Sequence, residues 1–315
     1  MTALSPSVTL EAVRCDLCGA DDYIVHIPST LPPKPAAQSE DWSPYACTSG
    51  GYGCHGPIVR CKHCGLVYTT PRRNGGDVLK IYEAVEDPLY LEERQGRILT
   101  FEHHLRPMTR FTGPAEGRRL LDVGAYTGVF VEIARRHGWD ACGVDPGAWA
   151  VAQARAQGLP MHLGTLEEAG FPPAHFSVVT MWDVIEHVPA PQQTLRAAWD
   201  VLEPGGILVV HTMDIDSLFS RLMGRRWPWY MEMHLFYFSR RTLRQMLQQV
   251  GFEVLGMGAQ GRYLQAGYLA SRVTALLPWL GRPIEALTNE LKLRALPLRI
   301  NLGDLFTTYA QKPKR

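Results

Sequence analysis

Leu120-Leu121-Asp122-Val123-Gly124-Ala125-Tyr126-Thr127-Gly128-Val129-Phe130 reads as a buried strand that breaks into a glycine turn and then opens a helix. Leu120, Leu121 and Val123 form the apolar run of a strand covered on both faces. Gly124 and Gly128 permit positive φ and a close approach of the backbone to a ligand. A dinucleotide-binding turn spaces its glycines G-x-G-x-x-G, so that a helix N-terminus receives a pyrophosphate. Here the spacing is G-x-x-x-G. Asp122 also stands at the strand end, where a carboxylate repels a diphosphate and suits an ammonium or sulfonium cation.

The chain continues in the same alternation. Ala141-Cys142-Gly143-Val144-Asp145 is a second short apolar strand, and its terminal acid is placed to accept both hydroxyls of a ribose. Gly164-Thr165-Leu166-Glu167 is a polar turn suited to face an adenine. Residues 176–183 form a third strand that runs into Val184-Ile185-Glu186-His187-Val188, and Leu202-Glu203-Pro204-Gly205-Gly206 feeds a fourth, wholly apolar one. Helical stretches at 147–157 and 191–201 separate these strands, as in a doubly wound sheet. S-adenosylmethionine carries the sulfonium, ammonium, ribose and adenine that such a set would bind.

Over residues 116–260 the chain resembles the class I S-adenosylmethionine-dependent methyltransferases. The resemblance implies an α/β fold with a Rossmann-like, doubly wound sheet of seven strands. It also implies a cofactor site drawn from Tyr90, Asp122, Gly124, Ala125, Tyr126, Gly128, Asp145, Pro146, Thr165, Leu166, Trp182 and Asp183. Two positions depart from the family pattern. Tyr126 occupies the middle glycine of the usual G-x-G-x-G turn, so the backbone there must avoid positive φ or bear strain. Ser177 replaces an acid that is usually peripheral.

With 315 residues, 46% hydrophobic content and a formal charge of +1, the chain has room for one full α/β domain and a smaller one. The near-neutral balance gives no strong nucleic-acid signal. That disfavours an RNA methyltransferase, while the glycine spacing disfavours a nicotinamide-dependent oxidoreductase. No signal-peptide pattern opens the chain and no run of about 18 apolar residues spans a membrane. A cytoplasmic enzyme with a small-molecule acceptor is expected.

Near the N-terminus, Cys15-Asp16-Leu17-Cys18-Gly19 and Cys61-Lys62-His63-Cys64-Gly65 are two C-x-x-C-G knuckles. Each knuckle turns two thiolates toward one ion, so Cys15, Cys18, Cys61 and Cys64 read as a structural zinc site. Pro28, Pro32, Pro33, Pro35 and Pro44 mark much of the interval between the knuckles as loop. Two disulfides or unpaired thiols are the alternative, disfavoured in a chain without a secretion signal. Cys47, Cys54 and His55 lack a knuckle pattern and read as ordinary loop residues.

The chain therefore divides into a zinc-ribbon domain (1–75), a helical lid and linker (76–115) and a methyltransferase domain (116–315) with a largely helical insertion at 261–303. Tyr82 and Tyr90 fall in the lid. In the insertion, Trp279, Leu280, Ile284, Leu287 and Leu291 are too apolar for a free surface. Packing on the domain is expected, with a homodimer seam, a pocket wall or a shallow membrane contact as alternatives.

The aromatic stretch Trp227-Pro228-Trp229-Tyr230-Met231-Glu232-Met233-His234-Leu235-Phe236-Tyr237-Phe238 precedes a helix capped by Ser239 and stopped by Gly251. It is predicted to drape over the carboxyl edge of the sheet, where ligands of open α/β folds bind, and to form the acceptor pocket. Methyl transfer from a sulfonium is an in-line displacement that needs alignment and, for some nucleophiles, removal of a proton. Candidates for the catalytic role are His234, His187 just after Asp183, and Tyr230. The plan of zinc ribbon, methyltransferase core and H-x-x-Y-F-S stretch resembles the bacterial sugar C-methyltransferases. A histidine matching His234 is the proposed base of that family, although Met233 stands where the family has a glutamate. The resemblance implies methylation at carbon or oxygen of a sugar nucleotide, glycan precursor or natural-product intermediate. Replacing Cys61 is expected to unfold the N-terminal region before it touches the chemistry.

Overall fold

In the computed structural model, which describes residues 10–31 and 42–314, the chain opens on strands β1 (Leu10–Glu11), β2 (Tyr23–Ile27), β3 (Ile58–Cys61), β4 (Val67–Thr69) and β5 (Arg72–Arg73). Pro32, Pro33 and Pro35 lie outside the described residues. Helices α1 (Gly75–Ala84), α2 (Pro88–Glu92) and α3 (Arg94–Thr112) follow. Asn74 and Asp87 cap the first two by accepting the Asp77 and Tyr90 N–H groups. Pro88 opens α2 without penalty, because a helix's first N–H has no partner to lose.

Strand and helix then alternate through β6 (Arg119–Val123), α4 (Val129–Arg136), β7 (Asp140–Asp145), α5 (Ala148–Ala156), β8 (Met161–Leu163), β9 (Phe176–Trp182), α6 (Pro191–Val201) and β10 (Leu202–Met213). These five strands are parallel. β9 is buried along its whole length, as a strand covered on both faces must be. The chain goes on through α7 (Leu218–Met223), β11 (Phe236–Tyr237), α8 (Arg240–Val250) and β12 (Glu253–Ala259). The insertion holds β13 (Arg262–Gln265), α9 (Ala266–Leu276), α10 (Pro278–Glu290) and β14 (Pro297–Ile300), and β15 (Leu305–Gln311) closes the fold.

β15 runs antiparallel between β10 and β12, which completes a seven-stranded sheet of order β12-β15-β10-β9-β6-β7-β8. The strand order reverses between β6 and β9. The crevice at the carboxyl end of that pair is where open α/β sheets place a ligand.

Two departures from the sequence reading shape this crevice. β11 pairs with β4, Phe236 opposite Tyr68, and so becomes the edge strand of the N-terminal sheet β11-β4-β3-β2. The insertion stands on the β13–β14 hairpin, and its two helices pack so closely that a Cβ on Gly281 would fall 2.2 Å from the Thr274 backbone. Packing on the domain leaves much of the insertion uncovered: Trp279 is 76% exposed and Leu287 and Leu291 are also exposed.

Candidate active site

Beyond β6 the backbone turns through Gly124 at φ +66°, Tyr126 at φ +50° and Gly128 at φ +74°. A Cβ on Gly124 would fall 2.5 Å from the Val184 side chain, so only glycine seats the turn against the end of β9. Tyr126 bears the left-handed strain rather than avoiding it. In that conformation its N–H reaches Asp145 Oδ2 at 2.8 Å, while the Gly147 N–H reaches Oδ1 at 2.8 Å. The carboxyl is held by one donor on each oxygen, with a lone pair left on each. Burial pushes its pKa up to about 6, against the pull of the two N–H groups.

Over this edge lies a cavity of about 810 Å³. Of the residues named from the sequence, Tyr90, Gly124, Tyr126, Asp145, Pro146, Thr165, Leu166, Trp182 and Asp183 line it. Asp122 is not among the residues that line the cavity. It is 2% exposed, accepts a 2.6 Å bond from Thr180 Oγ1, and is pushed up to about 8 by burial. Ala125 and Gly128 also sit within the turn rather than on the cavity wall, Ala125 bonding Val144 and Gly128 capping α4.

Arg97 is a residue the sequence reading missed. Its guanidinium lies 3.5 Å from the Tyr90 ring centre, and Tyr90 meets Tyr126 edge-on at 4.4 Å. Arg97 Nε, Tyr126 Oη and Trp182 Nε1 are buried without a partner, and all three residues line the cavity. Unpaired buried donors beside a fixed carboxylate and a glycine turn fit a ligand that carries a carboxylate, a diol and a flat base. S-adenosylmethionine carries all three.

The opposite wall is built where β9 ends. The Glu186 carbonyl accepts the Leu235 and Phe236 N–H groups at 2.8 and 3.1 Å, and the Thr69 N–H bonds the Leu235 carbonyl at 2.9 Å. The aromatic segment is thereby strapped between the core sheet and β4. This strapping brings the rings of His187 and His234 to 4.8 Å. His187 Nδ1 lies 3.0 Å from the Met233 carbonyl and 2.9 Å from the Tyr82 hydroxyl, and His234 Nδ1 lies 2.6 Å from the Trp229 carbonyl. Burial pushes His187 down to about 4 and His234 down to about 3, so both rings are neutral. Glu186 accepts a 2.9 Å bond from Thr212 Oγ1 and is raised to about 8 by burial and the nearby Asp183.

Glu186, His187, His234 and Tyr82 all line the cavity. Tyr230 is placed elsewhere. It packs against Trp227 and Tyr237 with its hydroxyl 3.4 Å from His26 Nε2, and the phenol that reaches His187 is Tyr82. Asp183, at φ +55°, pairs with Arg262 at 3.2 Å, and Arg262 in turn lies 5.2 Å over Trp229. Burial alone would raise Asp183, but Arg262 and the surrounding histidines outweigh it and hold the carboxyl low.

In the N-terminal sheet, the four knuckle sulfurs lie within 4.8 Å of one another, Cys15 to Cys64 at 3.4 Å and Cys18 to Cys61 at 3.5 Å. None is in a disulfide. A tetrahedral ion with metal–sulfur bonds of about 2.3 Å sets its sulfurs roughly 3.8 Å apart, which this set fits. Cys47 lies on the cavity wall, and the buried His55 gives its Nδ1 to the Gly56 carbonyl.

The family described as a methyltransferase domain matches residues 90–256, and the chain belongs to it. The ubiquinone biosynthesis O-methyltransferase of Sodalis glossinidius is 33% identical over 124 residues, covering 36% of this chain and 50% of the relative. The enzyme of the same description from Azorhizobium caulinodans is 35% identical over 117 residues, 35% of this chain and 46% of the relative. The chain thus spans about half the length of the curated relatives it matches. A chain in the complex of the Haloferax volcanii Trm112 methyltransferase activator with a methyltransferase shares the fold at a TM-score of 0.50 and 15% identity, over 70% of this chain and 93% of that one. Among the described residues, no helix is long and apolar enough to cross a membrane.

Proposed function

We propose that the enzyme methylates a hydroxyl oxygen of a small polyhydroxylated acceptor, of the kind found in sugar nucleotides and glycan precursors. One observation carries this reading: a single cavity holds both the glycine turn with Asp145 and the wall of Glu186, His187 and His234. Asp145 takes the ribose hydroxyls, Thr165 and Leu166 flank the adenine, and Arg97 pairs with the methionine carboxylate. Tyr90, Gly124, Tyr126, Pro146, Trp182 and Asp183 complete that half of the cavity, and Asp122, Ala125 and Gly128 hold the turn from beneath. When bound, the cofactor supplies a methyl group on a sulfonium, a leaving group that needs no further activation.

The chain's own task is to seat the acceptor oxygen in line and to let its proton leave. Those steps fall to the histidine wall. Oxygen is favoured over carbon because the relatives are named O-methyltransferases. Trp229, under the Arg262 that pairs with Asp183, offers a sugar ring a flat apolar face beside charged hydrogen-bonding groups. A structural zinc at Cys15, Cys18, Cys61 and Cys64 completes the assignment.

The reading is tested with labelled methyl donor and a panel of nucleotide sugars. His234→Ala is expected to lower turnover on the accepted substrate by about 10²–10⁴-fold while calorimetry shows donor affinity nearly intact. Unchanged turnover in His234→Ala, with a collapse in His187→Ala, reassigns the chemistry to His187 and leaves His234 a packing residue.

A further inference from the structure

The wall opposite the cofactor turn has a composition that proton transfer does not require: two imidazoles and a carboxylate converging on one point. One ring nitrogen each of His187 and His234 and one oxygen of Glu186 lie within 4.8 Å of one another. From this juxtaposition we propose that Glu186, His187 and His234 form a second metal site, taking a divalent transition ion whose remaining positions open on the cavity.

The tautomers support it. A backbone carbonyl can only accept, so the Trp229 carbonyl at 2.6 Å fixes the His234 proton on Nδ1 and leaves Nε2 its lone pair. At His187, Nδ1 faces both the Met233 carbonyl at 3.0 Å and the Tyr82 hydroxyl at 2.9 Å; with its proton turned to the carbonyl, Nε2 is the nitrogen left for an ion. An imidazole that donates its far N–H to a carbonyl is the usual second layer of a metal-bound histidine. Glu186 follows the same pattern: one oxygen accepts from Thr212 and the other is left for a ligand bond.

The donor set also selects among ions. Two imidazoles and one carboxylate suit zinc, iron(II) or manganese(II), and three protein ligands leave room for an exogenous oxygen. Among the described residues no arginine pairs with Glu186, Arg262 being hydrogen-bonded to Asp183, so a cation here would be a charge partner for its side chain. Ligand atoms on one ion at bonds of about 2.1 Å stand roughly 3.4 Å apart, so the three side chains close on one another as the ion binds. The site rests on the reading that this wall receives the acceptor oxygen.

The test uses the full-length chain with its cysteine site filled, titrated with Co²⁺ and followed by visible absorption and elemental analysis. We expect a second saturable equivalent with weak d–d bands and none of the strong thiolate charge-transfer of the cysteine site. Glu186→Gln, which keeps the shape and the bond from Thr212, should weaken that equivalent at least about tenfold, and His234→Ala should abolish it. If His234→Ala does not fold, Glu186→Gln decides. The proposal is overturned if the wild type binds only thiolate-type metal, or if the second equivalent survives both substitutions unchanged. Methyl transfer without a second ion would remove the metal site and keep the proposed function. A second ion in an enzyme inert toward hydroxyl acceptors would do the reverse.

Discussion

Asp145 is asked to be a carboxylate in a place where burial favours its neutral form. Its folded pKa of about 6 is raised above the usual value near 3.8, so the bare fold loses stability as pH rises through 6. Binding of the ribose needs the charged form and therefore gains over the same interval. Donor affinity measured by calorimetry should be flat above about pH 7 and fall as pH drops through 6. In Asp145→Ala it should be weaker by about 2–4 kcal/mol and lose the pH dependence. A wild-type affinity unchanged between pH 5 and pH 8, conditions roughly one unit or more either side of the midpoint, rejects the assignment. Residues of this kind were legible because strand ends and glycine turns are written locally. Arg97 was not, since nothing near it in the sequence separates a cation aimed into a cavity from the exposed arginines of the same helix. Tyr126 showed the conflict but not its outcome: the sequence stated that a non-glycine stood in the turn, and only the position of Asp145 explains why the left-handed backbone is kept.

At the scale of elements, four of the parallel strands, the helices at 147–157 and 191–201, the helical lid and the helix between Ser239 and Gly251 follow from periodicity and stop signals, and the structure places them within 75–112, 119–213 and 240–250. What periodicity could not show is pairing between distant short pieces. β11 has two residues, and the β13–β14 hairpin is separated by two helices, so neither carries a local signal. The hairpin matters because it delivers Arg262 to Asp183 and Trp229. Cutting that tie with Arg262→Met removes a charge-assisted bond of about 1.5–3 kcal/mol and should raise the acceptor KM roughly tenfold or more. Donor affinity should change less, because Asp183 is the one residue of the proposed donor half that Arg262 bonds. An equal loss of donor and acceptor binding would show instead that the hairpin shapes the whole cavity.

At the scale of the molecule, the N-terminal sheet and the active site are one construction. β4 runs from the second knuckle to Thr69, which bonds the Leu235 carbonyl through its N–H and the His234 carbonyl through its hydroxyl at 3.3 Å, and β11 extends the same sheet. The expectation that the ribbon would unfold before the chemistry is touched therefore changes: the ribbon's sheet is the support on which His234 is hung. Loss of the cysteine-bound ion should free β3 and β4, and with them the strap that holds the two histidines together. A displacement of about an ångström in a catalytic group costs on the order of 10²-fold in rate. Cys61→Ser should thus lower turnover by about that factor at saturating donor, with the donor's affinity changed by less than about threefold, equivalent to under 1 kcal/mol. The two measurements separate coupling from general unfolding, which would take both down together. Turnover that survives after the N-terminal sheet has been lost, judged by proteolysis within residues 10–73, would show that β11 and His234 hold their places without it.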